Sequence, residues 1–166
     1  MLTFAFYKAP GRLADRVIRI GSGRFVGSHW VPALYSHVEF VLDGPSESGQ
    51  SICISASKRD GAQVRCKPIQ FKPGHWTILQ VPGGYNAARR FALSRSSTQY
   101  NSIGAALSIT PWRGKVGRGV FCSEFMGQIV NAGGKMQVSE PHRLTPQELI
   151  NQLVKEVTEW TKICSG

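Results

Sequence analysis

Two residues of this chain have the types that nucleophilic catalysis needs. Cys122 stands in Val120-Phe121-Cys122-Ser123-Glu124-Phe125, and His37 in Leu34-Tyr35-Ser36-His37-Val38-Glu39-Phe40-Val41. A cysteine attacks a carbonyl as its thiolate, and a neighbouring imidazole manages the proton that the thiol loses and the leaving group needs. The imidazole in turn needs a third group that fixes its tautomer and orientation. Ser55 and Ser57 offer neutral acceptors from a neighbouring β-rich run, while Glu39 offers a charged one on the histidine's own run. Each residue also has a plainer reading: Cys122 as a small buried hydrophobe between Phe121 and Phe125, His37 as a solvent-facing strand residue. His29, His75 and His142 sit in loop-like contexts and are weaker candidates.

The elements that must position these residues follow from periodicity. Residues 121–132 read as a helix with Phe125, Met126, Ile129 and Val130 apolar, stopped by Gly133-Gly134. Cys122 then lies in the first helical turn, where unpaired backbone N–H groups and the helix dipole favour a thiolate and offer donors to an oxyanion. Residues 35–42 read as a strand whose alternation puts Tyr35, His37, Glu39 and Val41 on one face. Two residues along a strand span about 6 to 7 Å, so Glu39 would have to reach back to His37. The expectation therefore leans toward Ser55, from the second strand, as the orienting contact.

Around this pair the chain reads as α+β. Residues 2–7, 51–56, 64–69 and 76–81 are further strands, and 21–33 is a loop rich in glycine. Residues 11–20 form a helix with Leu13, Val17 and Ile20 on one face and a basic stripe of Arg12, Arg16 and Arg19 on another. Asn86 is placed to cap a helix ending near Ser94, and a short helix followed by a long loop fills 102–120. Thr145-Pro146-Gln147-Glu148 marks the start of the last helix, whose Leu149, Ile150, Leu153, Val154, Val157 and Trp160 recur at helical spacing.

Composition bounds the rest. With 166 residues and 42% hydrophobic content the chain suits one domain spanning 1–166, and a disordered protein is excluded. Twenty Lys and Arg against ten Asp and Glu leave a net charge of +10, which favours an anionic polymer or membrane surface as partner. Specific nucleic-acid binding is not expected, because no zinc-finger spacing or RNA-binding aromatic signature occurs. No apolar run approaches the roughly 20 residues of a spanning helix, and the first residues lack the features of a signal peptide, so the cytoplasm is the default compartment. Cys53, Cys66, Cys122 and Cys164 form no C-x-x-C pair, and reduced thiols are expected.

Taken together, several segments resemble the circularly permuted NlpC/P60, or YiiX-like, family of papain-like amidases. They are Tyr35-Ser36-His37-Val38-Glu39, Ser55-Ala56-Ser57-Lys58-Arg59-Asp60-Gly61 with Val64-Arg65, Tyr100-Asn101 with Gly104, Phe121-Cys122-Ser123-Glu124-Phe125, and Leu144-Thr145-Pro146. Their order is the diagnostic part, since in the permuted branch the histidine precedes the cysteine. The resemblance covers about residues 12 to 150 and implies a papain-like α+β fold, with a curved antiparallel sheet packed by helices. It implies cysteine hydrolysis of amide or peptide bonds, often in bacterial cell-wall peptides, by Cys122 and His37 through an acyl-enzyme, with no metal or organic cofactor. Two other outcomes compete: a lipid ester or thioester hydrolase at an anionic membrane, and a catalytically silent binding or structural protein, phage-encoded or not, that kept the fold. The chain departs from the family pattern where Ser55 replaces an acidic residue and where Asn101 replaces an aspartate.

Overall fold

The computed structural model describes residues 1–9, 11, 13–110, 114 and 116–164. Arg12, Arg113, Lys115 and the side chain of Trp160, each singled out by sequence, lie outside the described residues. The elements run β1 (Leu2–Tyr7), α1 (Leu13–Gly21), β2 (Arg24–Val26), β3 (His29–Val31), β4 (His37–Asp43), β5 (Gln50–Ser57), β6 (Gln63–Gln70) and β7 (Trp76–Val81). They continue as α2 (Tyr85–Ser94), α3 (Ser102–Leu107), α4 (Cys122–Ala132), a 3-10 turn at Pro141–Arg143 and α5 (Pro146–Cys164). The protein is thus α+β, with an antiparallel five-stranded sheet packed by helices.

Strand order in that sheet is β6-β5-β4-β1-β7. Strands β4, β5 and β6 are antiparallel neighbours in chain order, but β7 crosses to the far edge and pairs with β1, in register from Leu2 opposite Val81 to Tyr7 opposite Trp76. Being internal, β1 buries Phe4 and Phe6 completely. The outer strand β6 accommodates Pro68, which an edge tolerates because no neighbour there needs its N–H. Residues 21–33, expected as a loop, carry the short β2–β3 hairpin, with Phe25 paired to Trp30.

Helix α4 lies against β4 and β5, with Phe125, Met126, Ile129 and Val130 buried in the same core as Val38, Phe40 and Ile54. Gly134, at φ +71°, follows its end in the left-handed conformation that lets a helix terminate. Helix α5 starts where Thr145-Pro146-Gln147-Glu148 marked it, with a reciprocal cap: Glu148 N donates to Thr145 Oγ1 at 3.3 Å, and Thr145 N donates to Glu148 Oε2 at 2.9 Å. Asn86 does not cap α2, whose N-cap is Gly84 and which has no side-chain cap.

Candidate active site

His37 is the first residue of β4 and pairs with Tyr7 at the end of β1, so its ring stands at the rim of the sheet. Glu39 follows on the same face and is 1% exposed. It does reach back: His37 Nε2 lies 2.8 Å from Glu39 Oε1. The opposite side of the carboxylate is held by Arg65 on β6, whose Nη1 donates to Glu39 Oε2 at 2.7 Å and Nη2 to Oε1 at 2.5 Å. Arg65 Nε donates in turn to Asp60 Oδ2 at 2.8 Å, and Lys67 Nζ donates to both oxygens of Asp60. A buried carboxylate is tolerable only when its charge is met in this way.

Ser55 explains how an arginine two strands away gets there. Arg65 pairs with Ser55 across the β5–β6 ladder, and β5 lies between β6 and β4. A small residue in that row leaves room for the guanidinium to pass over it. Ser55 does not make the contact to His37 that the sequence suggested: its Oγ donates to the Val38 carbonyl at 2.7 Å. Among these residues the ring contact comes from Glu39, because a carboxylate with two flexible torsions can turn back along its strand whereas the short Ser55 side chain is committed to backbone. Ser57 is likewise occupied, accepting from Arg59 N at 3.3 Å.

Cys122 opens α4 and its thiol is free and buried. Its side chain and the His37 ring line the same cavity, close enough for Cys122 to act on the imidazole's charge. With Nε2 committed to Glu39, Nδ1 is the nitrogen left for Sγ. Burial opposes a charge on His37, yet the hydrogen bonds and negative charges of Cys122 and Glu39 outweigh it and raise the imidazole pKa to about 10. For Glu39 burial again acts first, in the upward direction, and the hydrogen bonds from Arg65 and His37 more than offset it, leaving the carboxyl below its ordinary value. At neutral pH the ring is therefore an imidazolium paired with the Glu39 carboxylate.

The first turn of α4 carries Cys122, Ser123 and the buried Glu124. Its N-cap is Phe121, whose side chain makes no capping hydrogen bond. The approach to Cys122 is fixed by Gly119, at φ +90°, where an added Cβ would stand 2.0 Å from Gln99 O. Immediately after it Val120 bridges to Tyr100. The Tyr100 phenol faces Cys122, and burial first, then the negative charge of Cys122, pushes its pKa up, so it remains a neutral donor. Asn101 acts on the frame instead: its Oδ1 accepts from Gly104 N at 2.7 Å and its Nδ2 donates to Val116 O at 2.7 Å.

A cavity of about 860 Å³ opens over these groups. Cys122, His37 and Tyr100 line it from one side, Leu13 and Val17 of α1 from another, with Lys58 and Arg59 also in its wall. Asp15 of α1 is buried and meets Arg59 and Ser36 Oγ, which ties the helix to the cavity rim. Arg65 and Tyr100 are the participants that sequence reasoning did not assign. Both stand inside the segments that carry the family resemblance, and the signal for Arg65 was its place one strand beyond Ser55. Comparisons of the chain with protein-family models, with curated proteins and with solved structures give no match.

Proposed function

We propose that this protein is a cysteine hydrolase of amide or peptide bonds with a permuted papain-like architecture, bacterial cell-wall peptides being the substrate class to which the family resemblance points. The observation that carries the reading is the bonded relay His37–Glu39–Arg65, whose imidazole lines one cavity together with Cys122 at the start of α4. In the first half-reaction the Cys122 thiolate adds to the substrate carbonyl carbon, and its oxygen takes the negative charge against the first-turn amides of α4. The C–N bond then breaks as His37 gives its Nδ1 proton to the departing amine, leaving a thioester on Cys122 and a neutral imidazole. Water attacks the thioester while His37 takes its proton, and collapse releases the acid and restores the thiolate and imidazolium. Glu39 stays ionised throughout, holding the ring through Nε2.

A lipid ester or thioester is the second reading, favoured by the exposed apolar residues Leu13 and Val17 at the cavity wall. The same cysteine chemistry serves it, with an alcohol or thiol leaving in place of an amine. Labelling with a small iodoacetamide probe near pH 6, followed by peptide mapping, tests the shared core of both readings. Cys122 is expected to label well before Cys53, whose thiol burial pushes up to about 12, and before Cys66, which burial also raises. Labelling of Cys122 no faster than these two would overturn the nucleophile assignment.

A further inference from the structure

Helix α1 and the hairpin that follows it expose an unusual amount of apolar surface. Leu13 is 77% exposed and Phe25 70%, and Val17, Ile20, Val26 and Trp30 are all exposed as well. In an amphipathic helix the apolar face ordinarily covers a core. Here the Leu13, Val17 and Ile20 face of α1 is turned outward, while Asp15 is the residue buried against the protein. The hairpin is no better covered, since all six residues of β2 and β3 are exposed and Phe25 and Trp30 pack edge to face on each other with ring centroids 5.0 Å apart. An isolated two-stranded hairpin gains little stability in water alone. Its base is held to α1 through Arg19, whose backbone and side chain both bond Ala33.

The exposed charge carried by this stretch of chain has one sign. Residues 1 to 42 contain Lys8, Arg12, Arg16, Arg19 and Arg24 against only Asp15 and Glu39, and both acids are buried and paired. Arg16 and Arg24 are exposed beside the apolar residues. Aliphatic side chains, an aromatic pair at a hairpin and exposed arginines beside them are the combination that settles into the headgroup region of an anionic bilayer. The same charge disfavours a second copy of the chain, because pairing this face with itself would bring like charges together.

We propose that α1 and the β2–β3 hairpin form a docking surface for an anionic phospholipid bilayer. Because Leu13 and Val17 also line the Cys122 cavity, docking brings the cavity mouth to the lipid headgroups. The surface is independent of the nucleophile assignment, since among the described residues no hydrogen bond or ion pair joins α1 or the hairpin to Cys122 or His37.

The test is co-sedimentation of the full chain with vesicles of phosphatidylcholine containing phosphatidylglycerol, against vesicles of phosphatidylcholine alone. Wild type is expected to partition at least about tenfold more strongly to the anionic vesicles. Phe25→Ser with Trp30→Ser should lose most of the binding to either vesicle, and Arg16→Gln with Arg24→Gln should lose the preference for anionic lipid. Circular dichroism and the unfolding midpoint show that each variant is folded, and the arginine pair tests the proposal even if the hairpin variant is not. Cys122→Ala should bind as wild type does, so that failure of the docking surface and failure of the hydrolase reading are separately visible. Absence of binding to anionic vesicles, or unchanged binding in both double variants, would overturn the proposal. A concentration-dependent dimer that the Phe25 and Trp30 substitutions dissolve would replace it with self-association.

Discussion

Glu39 is the residue on which the proton chemistry turns, since it meets His37 on one side and Arg65 on the other. Its negative charge is one of the causes that hold the His37 pKa up at about 10. Glu39→Gln removes that charge, so the imidazolium should give up its proton at lower pH. The alkaline limb of the rate profile should move downward by at least about one pH unit, and turnover should fall by up to roughly 10²-fold. A structural role alone would lower the amount of folded enzyme without moving the limb. Linkage gives the same group a stability signature. A pKa raised from 6.5 to about 10 on folding stabilises the folded protein fully below the lower value, and that contribution fades as pH rises through the upper one. Urea midpoints measured from about pH 6 to about pH 10 should fall, and should fall less in Glu39→Gln. Arg65→Met would strand the buried carboxylate and should cost about 3–5 kcal/mol, much of it recovered when Glu39→Leu is added.

At the scale of elements the catalytic pair is presented by a strand end and a helix start, and both are set by nearby joints. Asn101 is one such joint, capping α3 and gripping Val116 just ahead of the Gly119–Val120 approach to Cys122. Asn101→Ala should cost about 1–2 kcal/mol in thermal or urea unfolding, whereas Asn101→Asp keeps the cap acceptor and should lose less. The helices α4 and α5 and the strands β1 and β4 to β7 were legible because their signals are local: alternation, apolar spacing, Thr145 with Glu148, Gly133 with Gly134. The β2–β3 hairpin was not, since three-residue strands among glycines carry too short a pattern to register. The sequence brought out Cys122, His37 and Glu39 but weighted Ser55 above Glu39. Spacing along a strand gives the distance between Cα atoms, and it was the side-chain torsions of Glu39, supported by Arg65 from β6, that closed the gap. Long-range pairing of that kind depends on strand order, which a single sequence does not state.

For the whole molecule the net charge of +10 is distributed so that different functions should respond to salt differently. The charges around Cys122 are short-range and enclosed, with Glu39 buried and Arg65 nearly so, and ions in solution screen such contacts little. The charges on α1 and the hairpin face water, where screening acts over about 8 Å at physiological ionic strength and about 3 Å at 1 M. Arg19 is half-buried, with its Nε donating to Ala33 O at 2.8 Å, which leaves Arg16 and Arg24 as the exposed described arginines of that surface. Raising salt from about 0.1 M to about 1 M should therefore release the protein from an anionic surface while turnover of a short soluble amide changes by less than about twofold. The measurement is a pair of titrations on one sample, vesicle co-sedimentation and hydrolysis of the soluble substrate against sodium chloride. If both fell together, the cavity rather than the outer face would be using the charge, with Lys58 and Arg59 in its wall as the residues to neutralise next.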